Sequence, residues 1–501
     1  MMSADLYERR RAGVLLHPTS LPGAARVGAL GANARRYLET IADAGFTVWQ
    51  MLPVGPVTAD PSPYFARSNH AGNAALIDLE ALASAGWIEL DAARAGEGDG
   101  AYHARKLVEA RVGFRRRASE LEKAELAEFR RHNSRWLGPY ALYEALKLEH
   151  GGESWAHWPE PLRNRERAAL EAAGKRNRAA IEQAAFEQSM FSLQWSALRR
   201  HANERGVWLF GDLPIYVAHD SVETWLHRRN FRLDAQGLPT AVAGVPPDYF
   251  AADGQIWGNP LYDWDFMRAD RFHWWVGRVE AQLERFDWLR IDHFRGLDAG
   301  WSVPVGASTA RDGSWVPAPG RELLKRLKAV LGGMPLVAED LGIITAPVVA
   351  LREEFDLPGM KILQFGFDGS PENPYLPHNH KRSTIVYTGT HDNDTTLGWY
   401  RSLDERTRAH VDNYFRCRGE DMPETLIRAA LGSVAVLAVV PMQDLLALGS
   451  EARMNTPGTS NGNWRWSFDW PELGPDFGAR WRGLNRLFAR AVGGFHGGNH
   501  A

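Results

Sequence analysis

The chain has 501 residues, long enough for one elaborated barrel or for two to three domains. Hydrophobic residues make up 45% and charged residues 24%, which excludes a fibrous or wholly disordered chain, and 58 basic against 61 acidic residues leave no basic footprint for nucleic acid or an anionic membrane. No apolar run of about 18 residues occurs, the start MMSADLYERRRAGVLL lacks a signal-like apolar region, and the single Cys417 excludes an internal disulfide or a cysteine-based zinc cage, so a soluble cytoplasmic protein is expected.

Taken in chain order, short apolar runs ending in polar residues predict strands over Gly13–Leu16, Phe46–Leu52, Val207–Asp212, Phe286–Asp292, Pro335–Glu339, Met360–Phe365, Thr384–Thr390 and Val434–Val440. Several are continuously hydrophobic rather than alternating, which suits strands covered on both faces of a parallel sheet. Helical spacing lies between most of them, over Ala32–Ala44, Arg271–Glu284, Arg321–Leu331, Ala346–Phe355 and Asp404–Phe415. Eight strands separated by helices predict an α/β fold of the (β/α)8 TIM-barrel type, with a doubly wound open sheet as the alternative.

The spacing is uneven. Roughly 155 residues separate the second and third strands, far more than one βα unit needs. Ala101–Arg205 is rich in Ala, Glu, Arg and Leu, and Ile181, Ala184, Ala185, Phe191, Trp195 and Leu198 recur at helical spacing, so a largely helical insertion with one buried face is expected. A second excursion, Ala218–Asp270, mixes Gly, Pro and aromatics and reads as an ordered lid or small subdomain. The division expected is therefore a barrel start over 1–58, a mostly helical insertion over 59–205, and the rest of the barrel over 206–501 with the lid at about 218–270. The 20 tryptophans, 13 tyrosines and 21 phenylalanines have two readings, core packing or a surface that stacks on sugar rings.

In a barrel, reacting groups come from the C-terminal ends of the strands. Those ends read Gly211-Asp212-Leu213-Pro214, Arg290-Ile291-Asp292-His293, Ala338-Glu339-Asp340-Leu341 and Thr390-His391-Asp392-Asn393. Singly, each has a structural reading: Asp212 as a turn cap, Asp340 as the cap of the following helix, His293 and His391 as satisfied core histidines. Together they point to chemistry, since buried carboxylates are costly unless paired or used. Arg290 shares a strand side with Asp292 and is placed to hold it ionised. Paired carboxylates with His and Arg beside them are the equipment of glycosidic bond chemistry. Metal ligation by Asp292, Glu339 and Asp392 is the competing reading, but Arg and His neighbours already offset the negative charge. His378-Asn379-His380 reads as a polar loop. No phosphate-binding or dinucleotide loop is present, so no cofactor and no metal is expected.

At these residues the chain resembles the amylomaltases, or 4-alpha-glucanotransferases, relatives of the α-amylases. The likeness runs through LLHPTSLPG, VWQMLPVGP, SPY at Ser62–Tyr64, GDLPIYV, PPDYF, GQIWGNPLYDW, RIDHFRG, VAEDLG, YTGTHDNDT and MNTPGTSNGNW, in that order. The resemblance implies a retaining double displacement on maltooligosaccharides and other α-1,4-glucans. In it Asp292 is the nucleophile, Glu339 the general acid and then base, and Asp392 the stabiliser of the distorted ring. It also implies that His293 and His391 bond ring hydroxyls and that Asp212 supports the site. Tyr64 would stack on the donor; Tyr249, Phe250 and Trp257 would stack on the acceptor, where Gln255 would hydrogen-bond it. Asn463 and Trp464 are further acceptor candidates. His70, where an aromatic is expected nearby, and Ser467, in place of an expected Arg, depart from the pattern. The acids alone do not separate transfer from hydrolysis, and a glycan-binding protein that has lost its chemistry is the non-enzymatic alternative.

Overall fold

The computed structural model describes residues 9–22, 29–58, 60–91, 99–247, 252–459 and 461–491. Twelve strands are present among them: β1 Arg11–Leu15, β2 Val48–Gln50, β3 Trp208–Leu213, β4 Ala241–Val245, β5 Gln255–Pro260, β6 Trp288–Ile291, β7 Ala299–Pro304, β8 Ser314–Pro317, β9 Leu336–Ala338, β10 Gly359–Ile362, β11 Thr384–Tyr387 and β12 Leu437–Pro441. Eight of these form one sheet in the order β10-β11-β12-β1-β2-β3-β6-β9, every pairing parallel. The ends of that order meet where the Ala338 amide donates to the Pro358 carbonyl at 2.9 Å. The result is a nearly closed α/β barrel, and each of its strands overlaps a run that the apolar pattern predicts, with ends that differ by up to three residues.

Side-chain alternation along each strand sorts two layers. Leu437 and Val439 of β12 join Leu15, Val48, Phe210, Trp288, Val337, Ile385 and Tyr387 in the barrel's interior cluster. Ala438 and Val440, between and after them, join the larger outer cluster with Ile41, Leu198, Val279, Leu327 and Leu351 from the surrounding helices. Strands buried on both faces must be apolar throughout, which explains their continuous rather than alternating hydrophobicity. The expected helices form with familiar end signals. Gly320–Leu331 stops at Gly332, whose φ of 66° is the left-handed stop that glycine adopts without strain. Ala346–Glu354 starts with proline in its first turn.

Between β2 and β3, helices Asp99–Arg117, Glu120–His132, Ser134–Glu149, Arg167–Arg176 and Arg178–Glu204 account for most of the long insertion. In the last of these, 27 residues long, Ala184, Ala185, Phe191, Trp195 and Leu198 are buried and Ile181 is half-buried. Its later turns belong to the barrel, because Trp195 Nε1 donates to Arg285 O at 3.0 Å and Leu198 and Ala202 sit in the outer core.

One element has no counterpart in the predicted strands. β5, β4, β7 and β8 form a separate antiparallel sheet in that order, contributed by the 218–270 excursion and by the segment after β6. Most of the aromatic surplus is core: Trp49, Trp155, Trp158, Trp225, Trp275 and Trp481 are fully buried.

Candidate active site

Alternation places the functional side chains before any catalytic argument is made. On β6, Trp288 faces the barrel interior and Leu289 and Ile291 face out, so Arg290 and then Asp292 point inward. On β3, Phe210 faces in and Leu209 and Leu213 face out, so Asp212 points inward. On β9, Val337 faces in and Ala338 faces out, so Glu339 points inward one step past the ladder. Register does the rest. Asp212 lies opposite Arg290, and Ile291 lies opposite Ala338, so Asp292 and Glu339 leave neighbouring strands side by side, with the strands about 4.8 Å apart.

Arg290 is the hub. One guanidinium nitrogen donates to Asp212 Oδ2 at 2.6 Å and the other pairs with Asp292 Oδ1 at 2.9 Å. A guanidinium cannot lose its proton here; the two carboxylates reinforce its charge against the cost of burial. Asp212 has no exposed side-chain surface, whereas Asp292 keeps 26% and faces the cleft. Burial raises the pKa of Asp292, and Arg290 opposes that rise by direct contact. Arg290 beside Asp292 is thus not the whole of its environment: burial acts in the opposite sense and outweighs it.

Among the described residues no cation is in contact with Glu339. Its Oε2 accepts from the His293 amide at 2.5 Å and its Oε1 from the Leu341 amide at 3.0 Å. Burial dominates, Arg290 opposes it, the negative charge of Asp292 adds to it, and the carboxyl is pushed up to about 8. The two adjacent carboxyls therefore differ in kind: Asp292 has an arginine in direct contact, and Glu339, without one, is raised far enough to hold its proton at neutral pH. His293 bends the chain to allow this: its φ of 49° lies in the left-handed region, sparse for a non-glycine residue, and its own amide holds Glu339.

The third acid sits on the loop after β11. Asp392 keeps 45% of its side chain exposed, accepts from Asn455 Nδ2 at 2.6 Å and lies 3.3 Å from His391 Nε2. Tyr64 Oη donates to Asp212 Oδ2 at 2.7 Å and lies 2.9 Å from His391 Nε2. Because that hydroxyl proton goes to a carboxylate, the phenol oxygen must accept from His391, which fixes the imidazole with its proton on Nε2. Burial lowers the pKa of His391 and brings that of His293 to about 4, so both are neutral at physiological pH. The Tyr64 ring stacks on His391 at 5.5 Å, and Trp464 lies 5.8 Å from the same imidazole.

Other expected residues divide. Trp257 on β5 packs edge-to-face with His293 at 4.9 Å, which brings the small sheet against the catalytic turn; its Nε1 donates to Gln255 Oε1 at 3.2 Å. Asn463 is committed to its own loop: its carbonyl accepts from the Thr456 amide at 2.9 Å, and its Nδ2 donates to Thr459 O at 2.9 Å. Tyr249 and Phe250 lie outside the described residues. Asp340 does not cap the following helix. It accepts from the Met360 amide at 2.7 Å and pairs with Arg352 at 3.3 Å, fastening β9 to β10 where the barrel closes. His378 and His380 bond the carbonyls of Pro371 and Tyr375, as a polar loop would. Arg453 and Asn455, which contact Asp392, are not among the residues expected from the sequence; the signal for Asn455 is its place in the MNTPGTSNGNW segment, which Arg453 immediately precedes. Among the described residues no three His, Cys, Asp or Glu side chains are arranged to hold a metal ion, and no helix is long and apolar enough to cross a membrane.

A parallel barrel with a cation-paired carboxylate, a protonated carboxyl and a third acid at its C-terminal mouth defines a class of enzyme built for glycosidic bonds. Comparison with known proteins makes this specific. The sequence profile described as 4-alpha-glucanotransferase matches residues 16–471. The 4-alpha-glucanotransferase of Thermus thermophilus is 48% identical over 489 residues, covering 95% of this chain and 98% of the relative. That of Synechocystis sp. is 44% identical over 501 residues, covering 97% and 99%. The structure of amylomaltase from Streptococcus agalactiae in complex with acarbose superposes with a TM-score of 0.92 at 35% identity, covering 96% of this chain and all of that one. The chain belongs to the 4-alpha-glucanotransferase family, the amylomaltases, and is an enzyme of that class.

Proposed function

We propose that the protein moves α-1,4-glucan segments between maltooligosaccharides by a retaining double displacement. Glu339 gives its proton to the glycosidic oxygen while the Asp292 carboxylate attacks the anomeric carbon. The bond to the leaving glucan breaks, that glucan departs with the proton, and the donor segment remains as an ester on Asp292. An acceptor glucan then enters, Glu339 takes the proton of its 4-hydroxyl, and the freed oxygen attacks the anomeric carbon and displaces Asp292. Asp392 accepts hydrogen bonds from hydroxyls of the flattened ring. His391 and His293, both neutral, offer further hydrogen bonds at the cleavage point, and Asp212 with Arg290 holds the nucleophile in place.

The observation that carries this reading is the unequal pair: Asp292 in contact with Arg290 at 2.9 Å, and Glu339 beside it with its pKa at about 8. The pair supports reading Glu339, which keeps its proton at neutral pH, as the acid and Asp292, held by the guanidinium, as the nucleophile. Transfer rather than hydrolysis rests on the acceptor reaching the ester before water does, and Trp257, packed against His293, supplies an apolar face an acceptor ring would stack on.

Incubation with maltotriose tests it. Glucose with a ladder of longer oligosaccharides is expected, whereas glucose and maltose without elongation would identify a hydrolase. Asp292→Asn should lose several orders of magnitude in rate with the fold intact, and near-full activity in that variant would overturn the assignment.

A further inference from the structure

The third acid, Asp392, is held by contacts from one short segment of the chain. Four hydrogen bonds link Arg453–Asn455 to the loop after β11 or brace the segment itself. The Asn455 amide donates to His391 O at 3.1 Å, and Arg453 Nη2 donates to Asp392 O at 2.6 Å. Asn455 Nδ2 donates to Asp392 Oδ1 at 2.6 Å, and Arg453 Nε donates to Asn455 O at 2.8 Å, tying the clamp to itself. Three of these bonds hold backbone; the Asn455 side chain alone in this segment reaches the carboxylate. An Asp side chain with 45% of its surface exposed is otherwise free to rotate about χ1 and χ2. The carboxamide matches the need, since it donates to an acceptor-only group without adding charge.

We infer that Asn455, braced by Arg453, is a positioning residue that fixes the carboxylate of Asp392 toward the sugar. It touches no substrate and acts through Asp392, so the inference rests on the role given to Asp392 above. Oδ1 is occupied by Asn455, which leaves Oδ2 as the oxygen turned toward incoming hydroxyls, with His391 Nε2 at 3.3 Å beside it. The charged and titratable groups that meet at this contact are Asp392 and His391 from the β11 loop, Arg453 from the same segment, Tyr64, whose hydroxyl lies 2.9 Å from His391 Nε2, and Asp292, whose own carboxyl is raised by the charge of Asp392.

Two substitutions separate positioning from loop stability. Asn455→Ala removes the donor and should lower kcat about 10- to 100-fold, the worth of a hydrogen bond to a charged group, with KM little changed. Asn455→Asp keeps shape and volume but sets two carboxyls at hydrogen-bond distance, where they share one proton. With that proton on the introduced carboxyl, its O–H donates to Asp392 as Nδ2 did; when the proton is lost the two repel. Activity of Asn455→Asp should therefore fall as pH rises, and at a lower pH than in the wild type. Loop stability alone predicts no such displacement.

The full chain is assayed on maltotriose across pH, with thermal unfolding followed in parallel, for Asn455→Ala, Asn455→Asp, Asp392→Ala and the double Asn455→Ala/Asp392→Ala. A double variant no slower than Asp392→Ala supports the inference, because nothing is left to position. Additive losses, or a wild-type pH profile in Asn455→Asp, overturn it. If Asp392→Ala keeps near-full activity, the role of Asp392 itself fails; if Asp392→Ala is slow and both Asn455 variants are fast, only the positioning role fails.

Discussion

Replacing Glu339 by Gln should reveal the stability cost of keeping an acid protonated in this site. The folded protein holds the Glu339 carboxyl at about 8 against an ordinary value of 4.5, with burial as the main cause. Below 4.5 the proton is bound in both folded and unfolded chains, and there is no penalty. As pH rises from 4.5 toward 8 the unfolded chain loses the proton and the folded chain keeps it, so the wild type loses stability throughout that window. The slope is about 1.4 kcal/mol per pH unit, or on the order of 3 kcal/mol between pH 5 and pH 7. Gln has no proton to lose and is free of this term. It does lose one acceptor, since Glu339 receives amides from both His293 and Leu341, but that offset is the same at every pH. The quantity to measure is therefore the difference in Tm between variant and wild type over pH 5 to 7. For a chain of this length that difference should move by roughly 3 °C in favour of the variant as pH rises. Transfer activity should be lost in the variant, and in the wild type it should decline above a pH near 8 as the acid ionises. Parallel melting curves would mean that Glu339 titrates as an ordinary carboxyl, and the assignment of acid and nucleophile would lose its physical basis.

Arg290→Met should destabilise the fold by about 3–5 kcal/mol in denaturant titration, because the fully buried Asp212 and the neighbouring Asp292 lose their shared cation. Activity should also fall at neutral pH, as burial then raises Asp292 with its contacting cation gone and only the more distant Arg278 opposing; a variant as stable and active as the wild type would refute the hub. Gly359→Ala tests the barrel seam: an added Cβ would lie 2.4 Å from Asp340 Oδ2, displacing the carboxylate that accepts from the Met360 amide. A lowered Tm is expected, with a cost of about 1–3 kcal/mol, and an unchanged melting curve would show that the seam does not depend on this contact.

What was legible in the sequence is whatever a local pattern encodes. Eight short apolar runs marked the barrel strands, several of them continuous, since burial on both faces leaves little room for polar alternation. Period two put Arg290 on the same strand side as Asp292, and position at the strand ends put Asp212, Asp292 and Glu339 at the mouth; which face is the interior came from the packed clusters. The small sheet of β4, β5, β7 and β8 was not legible. Its strands are short, half-exposed and interrupted by glycine, as in Ala241-Val242-Ala243-Gly244-Val245, and their pairing joins segments about 60 residues apart. Asp340 shows the same limit, because an acid at a strand end reads as a helix cap until the partner strand supplies the Met360 amide.

The sequence by itself determined the barrel strands and most of the helices between them, that Arg290 and Asp292 share a strand side, and that acids stand at the strand ends of a barrel. Those features depend on spacing between near neighbours, which the chain carries in its own order. Only the tertiary structure decided how the acids differ: which one Arg290 touches, which one is left to hold a proton, and that Asn455 reaches across 63 positions to hold the third. Burial and partner distance set those properties. Both arise when remote segments close on one another, so no local stretch of sequence contains them.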